Sequence, residues 1–310
     1  MRLVGLTMPN STHLTQIRRG VDVWNDWRLR NPSIEPDLGA ADLEGADLVG
    51  ANLGGANLIR ARLSRAALNR ADLSGANLRD ADMRRAYLID AIVQKADLDQ
   101  SSLLEARLDG ANFSETTLIR AELPAVRAIA ADFTSCDLSY ATLTHSNLTR
   151  CRFTEANLSH ANFSHAYLED ADFNRANLVS SEFTNTMLDN ARFCGAILDE
   201  VSLSGASIGG TTFGDVDLRG VVGLRQLRHF GPSTIGIDTL LRSNGEIPDE
   251  FFAMPVCLRI SSHSCLRSSD VRSSFIHLSL ASVLSMRYSL GVFILECAVR
   301  ISVFGLRRRI

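Results

Sequence analysis

The chain has 310 residues and a formal net charge of −3, with 32 Lys plus Arg against 35 Asp plus Glu. The balance conceals a split: residues 1–35 carry 5 Arg and 3 acids (+2), residues 36–220 carry 16 Arg plus Lys and 26 acids (−10), and residues 221–310 carry 11 Arg and 6 acids (+5). An acidic middle segment gives no basis for direct nucleic-acid binding, and six Cys without a CxxC pair give none for a disulfide framework or a zinc site, as in a reducing cytoplasm.

The N-terminus, MRLVGLTMPN, lacks the apolar run and small-residue cleavage pattern of a signal peptide, so a cytoplasmic protein is expected. In the next segment Leu14, Ile17, Val21 and Trp24 fall at helical spacing with Trp27 beside them, and Asn31-Pro32 ends the pattern. The spacing predicts one helix within residues 1–35. Its apolar stripe could serve a partner, but a cap is favoured because a repeat starts directly after it.

From Asp37 to Leu218 an apolar residue recurs at every fifth position. Counting from Leu38 gives 37 consecutive centres, all apolar, and the residue two before each centre is Ala in 25 of them. A period of five fits neither a helix nor a strand, and a fixed period marks a solenoid. A chain that turns a right angle every five residues explains the pattern. The centre points inward, the small residue lies inside near a corner, and the other three face water. Leu58 and Leu78 are centres, and Cys136 and Cys151 are fillers of the small site. By the same rule Cys194, just after a centre, should face out.

Four such segments close a twenty-residue turn, and the aromatic residues test that number. Phe113, Phe133, Phe153, Phe173, Phe193 and Phe213 are spaced by twenty, as are Phe163 and Phe183. A four-sided coil stacks each set into a column at about 4.8 Å per turn. The weakest stretch is AELPAVRAIA, residues 121–130, where Pro124 lacks a donor and the centre is only Ala128; a local bulge or kink is expected there.

The motif repeated through residues 36–220 resembles the pentapeptide-repeat family, A(D/N)LXX. The resemblance implies an all-β fold, a right-handed quadrilateral parallel β-helix of about nine coils, about 40–45 Å long. The N-terminal segment is similar to a lead-in helix of bacterial members, which agrees with an N-terminal α-helical cap over residues 1–35. After Leu218 the frame stops. GLRQLRHFGPSTIGIDTLLRSNGEIPDEFF contains a short helix from Asp238 to Leu241 with Gly245 as its stop. Residues 221–252 resemble the junction that joins such rods to a Toll-receptor-like (TIR) domain. Residues 253–310 form a poorly defined tail without strand–helix alternation, read as degenerate or out of frame, then as disordered. Membrane association is the third reading, because the uncharged run from Ser273 to Met286 is shorter than the roughly 18 residues a span needs.

A filled rod with flat faces offers no concavity, so no catalytic residue, cofactor or metal is assigned. Among surface groups, His145 and His165 share one column and are weak metal candidates without a third ligand. Arg62, Arg65, Arg84 and Arg85 form a possible interaction surface, with Glu105 beside them. Asp or Asn precedes 18 of the 37 centres, and eight of these share one face: Asp37, Asn57, Asn77, Asp97, Asp137, Asn157, Asn177 and Asp217. Such residues hydrogen-bond turn backbone; an acidic face that mimics DNA is the alternative.

The expected function is a non-enzymatic interaction scaffold or sensor rod with a protein partner. By resemblance it would be the arm of a bacterial signalling or defence protein lacking its effector domain. The alternatives are a DNA-mimicking inhibitor or protector of DNA gyrase, and an NAD-cleaving enzyme through a cryptic C-terminal domain.

Overall fold

The computed structural model describes residues 8–244, 246–248 and 251, and the backbone of Cys257–Arg259 and Phe275–His277. Two helices come first. In α1 (Ser11–Arg18) the Asn10 side chain caps the N-terminus by accepting from the N–H groups of Thr12 and His13. After it comes α2 (Val21–Arg30). One helix was expected, and the difference lies at Gly20, whose φ of +113° cannot continue a helix. The break lets both segments lie on the start of the rod, with Ile17 and Trp24 buried in the common core.

The rod itself follows from how five residues use their N–H groups. Leu38 N donates to Asn57 O at 2.8 Å, Asn57 N returns to Pro36 O at 2.8 Å, and Ala40 N donates to Ile59 O at 2.7 Å. Those three bonds tie each segment to the segments twenty residues before and after it. A fourth, Ala41 N to Leu38 O at 3.0 Å, closes the corner. The last residue before each corner's end has positive φ, as Ala40 does at 53°, while the residue before it does not, which defines a type II turn. The same set recurs along the chain, giving four columns of parallel bridges that begin Asp37↔Asn57, Asp42↔Arg62, Asp47↔Ala67 and Asn52↔Asp72. This is a β-helix.

One N–H per segment remains, on the residue after the centre, and it accounts for the Asp and Asn before the centre. Gly39 N donates to Asp37 Oδ1, Ile59 N to Asn57 Oδ1 and Ser74 N to Asp72 Oδ1. Where the centre is preceded by another residue type, the acceptor can come from the coil before: Ile89 N donates to Asn69 Oδ1 and Ile119 N to Asp99 Oδ1.

That spare N–H also corrects the expectation of a bulge at residues 121–130. Pro124 occupies the position whose N–H is outside the ladder, and Pro suits the second residue of a type II turn. The bridges Ser102↔Glu122↔Thr142 and Arg107↔Arg127↔Asn147 run through without interruption. Only the corner bond is altered. The Ser146 hydroxyl donates to Leu123 O at 2.8 Å and accepts from Val126 N at 3.2 Å, bridging the two.

Beyond Leu218 the five-residue frame stops, but the coil continues with longer segments. Strand β1 (Ser207–Ile208) pairs in parallel with β3 (Arg228–His229), and β2 (Thr212–Phe213) with β4 (Thr234–Gly236). A 3₁₀ turn, Leu224–Gln226, precedes β3, and α3 (Ile237–Arg242) follows β4, containing the predicted short helix. Each of these two segments adds one residue, one before β3 and one between β3 and β4, while Leu224, Leu227 and Ile235 extend the core. Where no strands were expected, β5 (Cys257–Arg259) adds in parallel to β4 and β6 (Phe275–His277) pairs antiparallel with β5. Gly245 and most of the predicted tail lie outside the described residues.

Candidate interaction surface

The interior carries no chemistry. Phe113, Phe133, Phe153, Phe173, Phe193 and Phe213 stack with centroids 5.0–5.3 Å apart and planes within 13°. Phe163 and Phe183 form the neighbouring stack at 4.8 Å and meet the first column edge-on. Leu58 and Leu78 are fully buried.

The aligned Asp/Asn face is tied to the backbone. Asp37, Asn57, Asn77, Asp97, Asp137, Asn157, Asn177 and Asp217 each accept from the N–H two residues ahead. Some also bond along the column: Asn57 Nδ2 donates to Asp37 Oδ1, and Asn157 Nδ2 to Asp137 Oδ1.

The four arginines are not one patch. Arg62 bonds Asp42 at 3.2 Å and Glu44 at 2.7 Å, Arg84 makes a two-pronged contact with Asp82, and Arg85 meets Glu105 at 2.7 Å. The hydrogen bond from Arg84 holds the Asp82 carboxyl below the usual range, and the bond to Glu105 raises Arg85. Arg65 alone has no ion-pair partner among the described residues. The charge that would bind an anion is thus largely neutralised within the rod.

His145 and His165 stack with centroids 4.8 Å apart and planes 3° from parallel. Lone pairs lie in the ring plane, so those of parallel rings run side by side and do not converge on one ion. Among the described residues, no group of three or more His, Cys, Asp or Glu is placed to hold a metal. On the adjacent corner Arg120 covers Tyr140, which stacks on His160 at 4.5 Å.

Cys194, expected to face out, is buried together with Cys136 and Cys151. Residues just after a centre are stacked between coils, and Cys194 N donates to Asn174 Oδ1 from the coil before. Burial pushes the Cys136 thiol up to about 12 and raises Cys151 as well.

One concavity escaped sequence reasoning. The bridge column through Asn177↔Ile197 has no next rung at Asp217, and a cleft of about 480 Å³ opens there. Ile197, Leu198, Asp199, Asp215, Asp217 and Arg219 line it. Arg219 pairs with Asp217 at 2.6 Å, lowering that carboxyl's pKa, and Arg242 pairs with Asp215. The only sequence signal was the end of the five-residue frame at Leu218.

The fold defines a solenoid with a filled interior and flat outer faces. A family model described as "Pentapeptide repeats (8 copies)" matches residues 37–75 and 68–103, and one described as "Pentapeptide repeat region" matches residues 146–222. Residues 37–103 and 146–222 are thus pentapeptide repeats. Among solved structures it is similar to HetL, a pentapeptide-repeat protein involved in heterocyst differentiation regulation from the cyanobacterium Nostoc sp. strain PCC 7120. That match has 25% identity over 63% of this chain and 88% of HetL, with a TM-score of 0.40. QnrB1, a plasmid-mediated fluoroquinolone resistance protein, is 18% identical over 52% of this chain and 80% of its own, with a TM-score of 0.33. Rfr23 from the cyanobacterium Cyanothece 51142 is 28% identical over 34% of this chain and 63% of its own, with a TM-score of 0.19. No curated protein matches. No helix among the described residues is long and apolar enough to cross a membrane.

Proposed function

We propose that the chain is a non-enzymatic, cytoplasmic protein-interaction scaffold. In this reading it is a right-handed, four-sided rod of about nine coils over residues 36–220, at twenty residues per coil. Residues 1–35 close one end and residues 221–252 the other. The observation that carries it is what the polar side chains contact. The aligned Asp and Asn hold turns, and three of the four candidate Arg residues meet carboxylates, two of them on neighbouring coils. What remains for a partner is a long, flat, patterned exterior, which suits another protein's surface better than a small substrate.

The segment after the repeats supports a finer proposal. Residues 221–252 are a junction, and the rod is the sensor or positioning arm of a signalling or defence protein whose effector, of the TIR type, is degenerate within residues 253–310. A TIR-like reading in another frame of the coding DNA supports that account, and its absence sinks it.

The scaffold reading is tested by crosslinking the full chain in its host and identifying adducts. A reproducible partner is expected. Inhibition or drug protection of DNA gyrase in a supercoiling assay at stoichiometric protein would replace this reading with DNA mimicry, and NAD turnover by the full chain would replace it with an enzyme.

A further inference from the structure

Three faces of the rod carry carboxylates along the length of their bridge rows, and the fourth carries one only at its first rung, Asp47. The residues that bridge from coil to coil on that face are Ala67, Tyr87, Arg107, Arg127, Asn147, Tyr167 and Met187. Between residues 67 and 187 this row has no Asp or Glu, although residues 36–220 as a whole carry 26 acids against 16 basic residues. Five coil steps separate Tyr87 from Met187, about 24 Å at one strand spacing each. Tyr87, Tyr167 and Met187 are among the exposed large hydrophobics, at 41%, 45% and 40%.

Two arginines, Arg107 and Arg127, stand at its centre. Arg107 has no ion-pair partner among the described residues; its guanidinium carbon lies 5.8 Å from the Tyr87 ring centroid. Arg127 contacts Asp109 through Nε at 3.1 Å, and its terminal nitrogens make no hydrogen bond among the described residues. Tyr, Arg and Met are the side chains enriched where protein surfaces bind. An arginine held over an aromatic ring is pre-ordered, so less side-chain freedom is lost on binding.

We propose that this row is the docking face of the scaffold and that its occupant is an extended acidic segment of a partner protein, with apolar residues flanking its carboxylates. The proposal rests on the scaffold reading and names the chemistry of its partner. The carboxylates meet Arg107 and Arg127, and the apolar residues meet Tyr87 on one side and Tyr167 with Met187 on the other. About seven extended residues span the row. Charge also selects the class of macromolecule. Asp90, Asp109, Glu169 and Asp170 follow row positions by two or three residues and line one edge of the row, so a continuous polyanion such as duplex DNA meets repulsion along that edge. A segment with two or three carboxylates does not.

The test uses the full chain and a fluorescein-labelled twelve-residue peptide, four Glu with two Leu-Phe pairs on each side, read by anisotropy. The same peptide with Lys for Glu and a twelve-base-pair duplex serve as competitors of the other chemistries. The acidic peptide is expected to bind, the double variant R107E/R127E to weaken it at least tenfold, and Tyr167→Ala to weaken it severalfold. The control R62E/R84E, on the neighbouring face, should leave binding unchanged. Absence of acidic-peptide binding, preference for the Lys peptide or the duplex, or binding indifferent to R107E/R127E overturns the proposal. Unaltered thermal unfolding of the variants confirms that folding is intact. If a crosslinked partner is captured equally by R107E/R127E, the docking face is wrong while the scaffold reading stands. Loss of both the partner and the peptide signal in the unmodified chain removes both.

Discussion

At the corners of the rod the chain takes up a left-handed backbone that few side chains favour. Gly55 has φ +66° with no atom within 4 Å of an added Cβ, so Gly55→Ala incurs only the conformational cost, about 1 kcal/mol. Ala130 holds φ 58° with a side chain in place, and Ala130→Gly should shift stability the opposite way by up to about 1 kcal/mol, less the extra freedom glycine gains when unfolded. Urea midpoints of the two variants moving in the same direction would contradict this account. The corner glycines were legible as turn residues. That Arg65, His145 and Asp170 adopt the same backbone was not, because the ladder on both sides overrides local preference. Residue chemistry gives a second expectation. Cys136 is buried and its thiol raised to about 12, so native protein at pH 8 should leave it unalkylated by iodoacetamide while denatured protein reacts fully, as mass spectrometry of its peptide can establish. Acid acts in the other direction. Asp82 and Asp217 are held below the ordinary carboxyl range by Arg84 and Arg219, so their contribution to stability is present above that range and lost as pH falls through their folded values. Both arginines are solvent-exposed, so Asp82→Asn should flatten the acid limb of the stability profile only slightly.

The columns of like side chains behave as elements, because each member is clamped by those above and below. Phe153 stacks on Phe133 and Phe173 and meets Phe163 edge-on, whereas Phe113 has one ring neighbour, Phe133. Phe153→Ala should cost about 3–5 kcal/mol and Phe113→Ala should fall at or below the lower end of that range. Equal losses in equilibrium unfolding would mean that ring stacking along the column adds nothing to burial. This element was readable in advance, since a spacing of twenty is visible in a string of letters. The expected break at residues 121–130 was misread because the donor missing from Pro124 was counted without knowing that its position leaves that donor outside the ladder. Pro124→Ala should consequently lower stability, by about 0.4–1 kcal/mol, through the freedom it adds to the unfolded chain. A gain on that substitution would restore the idea of a strained site.

A β-helix assembled from such elements has two raw ends, and side chains from the flanking segments cover them. At the first coil the Trp24 indole donates to Asn52 O at 2.7 Å, Asn25 bonds both Asn52 N and Gly50 O, and Arg28 donates to Gly54 O at 2.8 Å. Asp37 N donates to His13 Nδ1 at 2.9 Å, and Asn10 N to Asp37 O at 3.1 Å. These groups stand where a preceding coil would place its backbone. At the other end Thr239 and Ser243 hydroxyls and the Asp238 carboxylate accept from Val216, Leu218 and Asp215. The sequence located both segments through their helical spacing and the frame's limits, but not the bonds, which join residues more than twenty apart and depend on how the helices approach. An uncovered coil edge is a template for another chain. Trp24 is fully buried and supplies both packing and a donor, so Trp24→Ala should destabilise the first coil preferentially and expose its edge. Hydrogen exchange should rise at residues 37–56 before residues 140–200. Sedimentation velocity should show concentration-dependent association that the unmodified chain lacks or shows more weakly. Uniform loss of protection along the whole rod, without added association, would mean that Trp24 serves the core and not the end.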